Sequence, residues 1–137
     1  MVFGAFDVLH PGHLDFFRQA RRLSANPFLT VSVARDTNVK KIKGRKPLFP
    51  ESARADFVKE CGLADKVVLG GTRFFIPNII KEHPDIIALG YDQTAYVKNL
   101  KADLNQVGLD VKIKRLKAFK PHVYKSSLFK SGNPAKI

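Results

Sequence analysis

Short apolar runs alternate along this chain with stretches whose apolar residues recur every three or four positions. Val2 and Phe3 form the stub of a first strand, and residues 4–12 read as a loop. His13, Phe16, Phe17, Ala20 and Leu23 then share one helical face. That spacing predicts a helix over residues 11–24, with Pro11 suited to its first turn. The run FLTVSVA at residues 28–34 reads as a buried strand, and residues 35–47 as a basic loop carrying Lys40, Lys41, Lys43, Arg45 and Lys46. A helix over 51–61 ends with Gly62 just beyond it. A strand at 66–69, a helix over 74–83 that stops before Pro84, and an apolar strand at 85–89 come next. A helix over 94–107 ends at Gly108, and an alternating strand at 110–116 carries Val111, Ile113 and Leu116. Ser126 opens a short final helix.

Strands that alternate with helices make βαβ units and a parallel sheet covered on both faces. Right-handed crossovers then give an α/β fold: a Rossmann-like, doubly wound parallel sheet sandwiched by helices. No repeat, low-complexity tract or linker divides the chain, so residues 1–131 are expected to form a single domain and 132–137 a flexible tail. Two residues ahead of Gly4 make a short first strand, as expected of a chain trimmed or naturally short at its start.

Composition narrows the setting. The 137 residues, 45% of them hydrophobic, suit one core. The single cysteine, Cys61, forms no intrachain disulfide and favours a reduced, cytoplasmic location. No apolar run approaches the roughly 18 residues of a membrane helix, and Asp7, His10 and His13 interrupt what would be the core of a signal peptide. Against 24 Lys and Arg stand 12 Asp and Glu, so the net charge is 24 − 12 = +12. Such a chain attracts polyanions: nucleic acid, anionic membrane or nucleotide phosphates. The plainer alternative is a solvated basic surface.

Ligands of doubly wound sheets bind at the carboxyl ends of the strands. The first such loop here is Gly4-Ala5-Phe6-Asp7-Val8-Leu9-His10-Pro11-Gly12-His13. It follows a strand and opens a helix, where backbone N–H groups and the helix dipole favour phosphate. His10 and His13 put two imidazole donors at one phosphate-sized spot, and Gly12 permits close backbone approach. A His-x-x-His pair also suits a metal, but no cluster of Asp, Glu, His or Cys completes a ligand set, so no protein metal site is expected.

The segment Gly4-x-Phe6-Asp7-x-x-His10-Pro11-Gly12-His13 resembles the signature of the cytidylyltransferase-like nucleotidyltransferases, and the resemblance covers almost the whole chain. Lys43-Gly44, within residues 39–47, resembles that family's mobile lysine segment. Pro50-Glu51-Ser52-Ala53-Arg54 resembles its next-helix motif, and Leu89-Gly90-Tyr91-Asp92 the loop after its fourth strand. Tyr124-Lys125-Ser126-Ser127 stands where the family has a Ser/Thr phosphate motif. Residues 38–50 and 89–93 look most like archaeal-type FAD synthases, which are FMN adenylyltransferases. Glycerol-3-phosphate cytidylyltransferases share the first motif but carry a fuller Arg-x-x-x-Ile-Ser-Thr-Thr near the end, here reduced to Lys125-Ser126-Ser127.

The resemblance implies transfer of AMP from ATP to FMN, with FAD and pyrophosphate as products and magnesium (or another divalent ion) brought by the triphosphate. It makes His10, His13 and Lys43 catalytic. It places Ala5, Phe6, His10, Pro11, Gly12, His13, Asp92, Tyr124, Ser126 and Ser127 around the nucleotide, with Lys40, Arg54 and Lys125 as further phosphate contacts. Several of these have plainer readings. Arg54 either reaches phosphate or pairs with Glu51 or Asp7. Ser126 and Ser127 either hold phosphate or cap a helix. Asp92 either accepts from ribose or base, or shapes a turn. Tyr124 either flanks the nucleotide or packs, and Phe119 is a candidate lining for a flat acceptor. A homodimer is also implied. The alternatives are a cytidylyltransferase acting on a small alcohol phosphate, and a basic nucleic-acid-binding protein without catalysis. No nucleic-acid motif supports the latter.

Overall fold

The computed structural model describes residues 1–71, 76–93 and 99–119. Its elements follow the expected alternation: β1 (Val2–Gly4), α1 (Pro11–Arg21), β2 (Thr30–Val33), α2 (Asp36–Lys43), α3 (Glu51–Glu60), β3 (Lys66–Leu69), α4 (Ile76–Glu82), β4 (Ile86–Leu89), α5 (Leu100–Gln106) and β5 (Lys112–Arg115). The helix expected to open at Ser126 and the tail at 132–137 lie outside the described residues.

All the strand pairs among the described residues are parallel. β1 pairs with β2, with Val2 opposite Val31, and β2 with β3. On the other side β4 pairs with β5, Ile87 opposite Ile113. The two groups meet where the Met1 nitrogen donates to Ile86 O at 2.8 Å and Ala88 N–H donates to Met1 O at 3.0 Å. The strand order is therefore β3-β2-β1-β4-β5. Connections leave β1 and β4 in opposite directions, so the switch point of the doubly wound sheet lies between them.

Strand alternation feeds two separate cores. Val2, Val31, Val33 and Ala88 face one side and pack with Phe17 of α1 and with Ala55 and Val58 of α3. Phe3, Ile87 and Leu89 face the other, with Ile79 of α4 and with Leu100 and Leu104 of α5. Phe17 is fully buried, and burial of such a side chain contributes about 2–3 kcal/mol. Helices on both faces confirm the expected α/β sandwich. No helix among the described residues is long and apolar enough to cross a membrane.

Of the helix expected over 94–107, residues 94–98 lie outside the described residues and α5 begins at Leu100, with Asn99 as its N-cap. One further element differs in kind. Residues 35–47, expected as a loop, contain the helix α2. Its end signals are local. Asp36 sits in the first turn, and Lys40, Lys41 and Lys43 occupy the last, matching the helix dipole. Gly44 closes it with φ 77°, donating its N–H to Lys40 O at 2.8 Å. Lys43 is thus the last residue of a helix, not part of a free loop. Only Val39 of α2 is buried, so the apolar periodicity that marks the other helices is nearly absent here.

Candidate active site

The loop from Gly4 to His13 leaves β1 at the carboxyl edge of the sheet. Phe6 adopts φ 51°, a left-handed conformation that is uncommon outside glycine. Its ring is buried in the α1/α3-side core, 5.2 Å from the Phe17 ring and edge-on to His13 at 5.4 Å.

His10 caps α1. Its Nδ1 accepts the Gly12 N–H at 3.1 Å, with Pro11 in the helix's first turn as expected. His13 N–H donates to His10 O at 2.9 Å. The backbone N–H groups expected to face a phosphate are therefore engaged by His10 itself. This arrangement has a chemical consequence. With Nδ1 accepting, the proton of the neutral imidazole resides on Nε2. Burial pushes the His10 pKa down from 6.5 to about 4, so the ring is neutral at pH 7. The His13 ring stacks on it with centroids 3.8 Å apart and planes 23° apart. A neutral His10 removes the like-charge repulsion that two stacked imidazolium rings would suffer.

The next residue group ties this loop to the lysine helix. Asp7 is buried, and its carboxylate accepts the N–H groups of Leu48 at 2.6 Å and Phe49 at 2.9 Å. Arg54, fully buried on α3, donates from Nε to Phe49 O at 2.9 Å and from a terminal nitrogen to Ala5 O at 2.7 Å. Its other terminal nitrogen pairs with Asp36 at 2.6 Å. Glu51 pairs instead with Arg35 at 2.9 Å and accepts the Asp36 N–H. The pairing expected for Arg54 with Glu51 or Asp7 is therefore replaced by one with Asp36. The guanidinium is turned into the protein, with each of its three nitrogens on a protein acceptor. Lys40 and Lys43 remain exposed on α2, which follows β2 at the same edge of the sheet.

Asp92 lies in the exposed turn after β4. That turn is closed by Gln93 N–H donating to Gly90 O at 3.2 Å. Arg115, at the end of β5, donates to Gly90 O at 2.8 Å and Gln93 O at 2.9 Å. The fold thus sets Ala5, Phe6, His10, Pro11, Gly12 and His13 after β1, Lys40 and Lys43 on α2 after β2, and Asp92 in the turn after β4. Tyr124, Lys125, Ser126 and Ser127 lie outside the described residues. Asp7, Asp36, Gln93 and Arg115 complete the framework. Asp7 was visible within the signature, but the backbone groups it holds are some 40 residues away in sequence. Among the described residues no three His, Cys, Asp or Glu side chains gather to hold a metal ion.

The chain's relatives bear on this geometry. A family model described as cytidylyltransferase-like matches residues 1–132. An FAD synthase of Korarchaeum cryptofilum is 46% identical over 120 residues, 87% of this chain and 81% of the relative. An FAD synthase of Pyrococcus horikoshii is 39% identical over 132 residues, 96% of this chain and 85% of the relative. A crystal structure from Thermoplasma volcanium, described as a lipopolysaccharide core biosynthesis protein, superposes with a TM-score of 0.80 at 34% identity, covering 88% of this chain and 96% of that one. With the family model spanning nearly the whole sequence and the signature loop at the switch point, this chain belongs to the cytidylyltransferase-like nucleotidyltransferases.

Proposed function

We propose that this protein is an FMN adenylyltransferase, forming FAD and pyrophosphate from FMN and ATP in the cytoplasm. The observation that carries the reading is the 46% identity to an FAD synthase over most of both chains. A phosphate oxygen of FMN attacks the α-phosphorus of ATP in line. The new P–O bond forms as the bond to the β-phosphate oxygen breaks, and pyrophosphate leaves with that electron pair.

Such a transfer needs positioned donors more than covalent chemistry. His10 presents its Nε2–H to the α-phosphate oxygens, and His13, stacked upon it, supplies a second donor. Lys43, with Lys40 one turn before it, neutralises charge on the departing phosphates. Ala5 O is turned to Arg54, so the nucleotide meets this loop through the N–H groups of Ala5 and Phe6. Asp92 accepts from ribose or base, and Tyr124, Lys125, Ser126 and Ser127 complete the nucleotide pocket. Magnesium would enter with the triphosphate and would supply neutralisation of its phosphate charge.

Acceptor choice finds support in the segment that Asp7 holds. Leu48 and Phe49 expose 62% and 41% of their surface although Asp7 and Arg54 fix their backbone. This leaves an anchored apolar surface beside the signature loop for a flat ring system. The test is a matrix of ATP and CTP against FMN and glycerol 3-phosphate, read by chromatography and pyrophosphate release. FAD from ATP and FMN is expected. A CDP-linked product from CTP and glycerol 3-phosphate, with no FAD, overturns the assignment.

A further inference from the structure

The sheet contains one interruption that the reaction described above does not use. Met1 donates its nitrogen to Ile86 O and accepts from Ala88 N–H. In a parallel ladder the next rungs involve the second residue along each strand. The regular continuation is therefore Gly90 N–H donating to Phe3 O. That rung is absent. Instead, Gly90 N–H donates to Gln93 Oε1 at 3.2 Å, and Gln93 Nε2 donates to Phe3 O at 3.2 Å. The side-chain amide stands in the ladder between the two backbone groups, its donor and acceptor each facing the complementary partner.

We propose that Gln93 is a positioning residue for nucleotide transfer, its amide setting the separation of β1 and β4 at the mouth of the nucleotide site. The inference rests on the nucleotidyl-transfer reading. Phe3 leads directly into the Gly4–His13 loop, and Gly90 into the turn that carries Asp92. One amide therefore couples the phosphate-binding loop to the loop placed for ribose or base. The turn is rigid on its own side as well. Gln93 N–H closes it onto Gly90 O, and Arg115 holds the carbonyls of Gly90 and Gln93. The relation between the two loops thus depends on the length and polarity of the Gln93 side chain.

Each substitution removes one part of this device. Gln93→Glu keeps an acceptor for Gly90 N–H but sets a carboxylate against Phe3 O. Gln93→Asn has the right groups and is one methylene too short to reach both. Gln93→Ala lets the strand ends close or hydrate. Misplacement by about 1 Å costs on the order of 100-fold in rate. All three variants should therefore lose roughly 10–100-fold in kcat/KM for ATP, shared between kcat and KM, while the melting temperature moves by only a few degrees. The partly exposed Gln93 contributes little to either core, so Gln93→Asn in particular should remain folded.

The test measures kcat and KM for ATP, melting temperature, and titration of a non-hydrolysable ATP analogue on wild type and the three variants. Variants whose kcat per folded molecule and KM match wild type overturn the proposal, whatever happens to their stability. Full rescue by Gln93→Asn overturns it too, since length is part of the argument. If the wild type binds the analogue but makes no FAD, the acceptor reading has failed alone. The proposal then stands or falls on whether Gln93→Glu weakens analogue binding about tenfold, the scale of one lost positioned contact. A wild type that binds no ATP analogue overturns both.

Discussion

The ring of Phe6 fills the space that a side chain on residue 4 would occupy: a β-carbon on Gly4 would stand 2.6 Å from Phe6 Cζ. The glycine and the phenylalanine of the signature are therefore one packing unit. The left-handed backbone at Phe6 folds its ring back over Gly4, and the same ring abuts His13. Gly4→Ala should push the ring out of place at a cost of about 1–3 kcal/mol, the usual range for overpacking a core. Because His13 leans on that ring, kcat should fall further than the loss of folded protein accounts for. Urea unfolding and kcat on the same preparation check this. A variant that is destabilised but fully active per folded molecule would separate Phe6 from the catalytic geometry.

The two histidines should act in the transition state. Interactions that strengthen only as charge builds lower kcat more than they change substrate affinity. His10→Ala and His13→Ala should each reduce kcat by roughly 10²–10³-fold, as for loss of one preorganised donor. Changes in KM for ATP should be smaller. His10→Ala should also cost about 1 kcal/mol of stability, because it removes the cap on Gly12 N–H. His13→Ala lacks that term. Unchanged kcat in both variants would end the catalytic assignment.

The buried His10 ring gives stability a particular pH dependence. Its pKa is lowered from 6.5 to about 4 in the folded protein. The unfolded chain then takes up a proton before the folded one does. Stability from this group is complete above pH 6.5, declines as pH falls, and has gone once pH passes below about 4. The slope is about 1.4 kcal/mol per pH unit for one proton, and the total is at most about 3 kcal/mol. Asp65, held below its usual 3.8 by the Leu29 N–H and Arg21, adds its own loss only at still lower pH. Urea unfolding at pH 7.5, 5.5 and 4.5 should show the decline in the wild type and a flatter response in His10→Asn, which keeps a capping acceptor without titrating. Equal slopes in the two proteins would assign the dependence elsewhere.

Much of this architecture was legible because each element carried its own period. Val31 and Val33 alternate with Thr30 and Ser32, and Phe17 stands at helical spacing with Leu14 and Ala20. The helix α2 escaped because five basic residues between Lys40 and Lys46 swamp a pattern with one buried position, Val39. Its end signals, Asp36 in the first turn and Gly44 as the C-cap, were present in the sequence and would have revealed it. The histidines were legible because their spacing and their loop are local. Arg54 was not, because Ala5 O, Phe49 O and Asp36 become its partners only when α3 packs beneath the signature loop. Gln93 was equally hidden: its role exists only once β1 and β4 are neighbours, and spacing along the chain says nothing of that.

The last prediction separates two cations that the sequence set side by side. Lys43 ends α2 and is exposed, whereas Arg54 is fully buried with all three of its nitrogens engaged. The stretch 36–49 that carries Lys43 is held at both ends, by the Arg54–Asp36 pair at 2.6 Å and by Asp7 on the N–H groups of Leu48 and Phe49. Lys43 therefore sits exposed on an anchored frame. Lys43→Ala should lose about 2–4 kcal/mol of transition-state stabilisation, the scale of one electrostatic donor, with the fold retained because the residue is exposed and outside both cores. Arg54→Ala should do the reverse first. It strands two backbone carbonyls and Asp36 and should cost about 3–5 kcal/mol of stability, as when one partner of a buried pair is removed. Activity should then fall in step with the folded fraction and return when folding is favoured by lower temperature or a stabilising osmolyte. Arg54→Lys should restore only part of the stability, because an ammonium cannot reach three acceptors set around a planar guanidinium. Urea midpoints and kcat for the three variants decide the matter. An Arg54→Ala protein that is as stable as wild type yet inactive would return Arg54 to the phosphate site, and a Lys43→Ala protein with normal kcat would leave Lys43 a solvated charge.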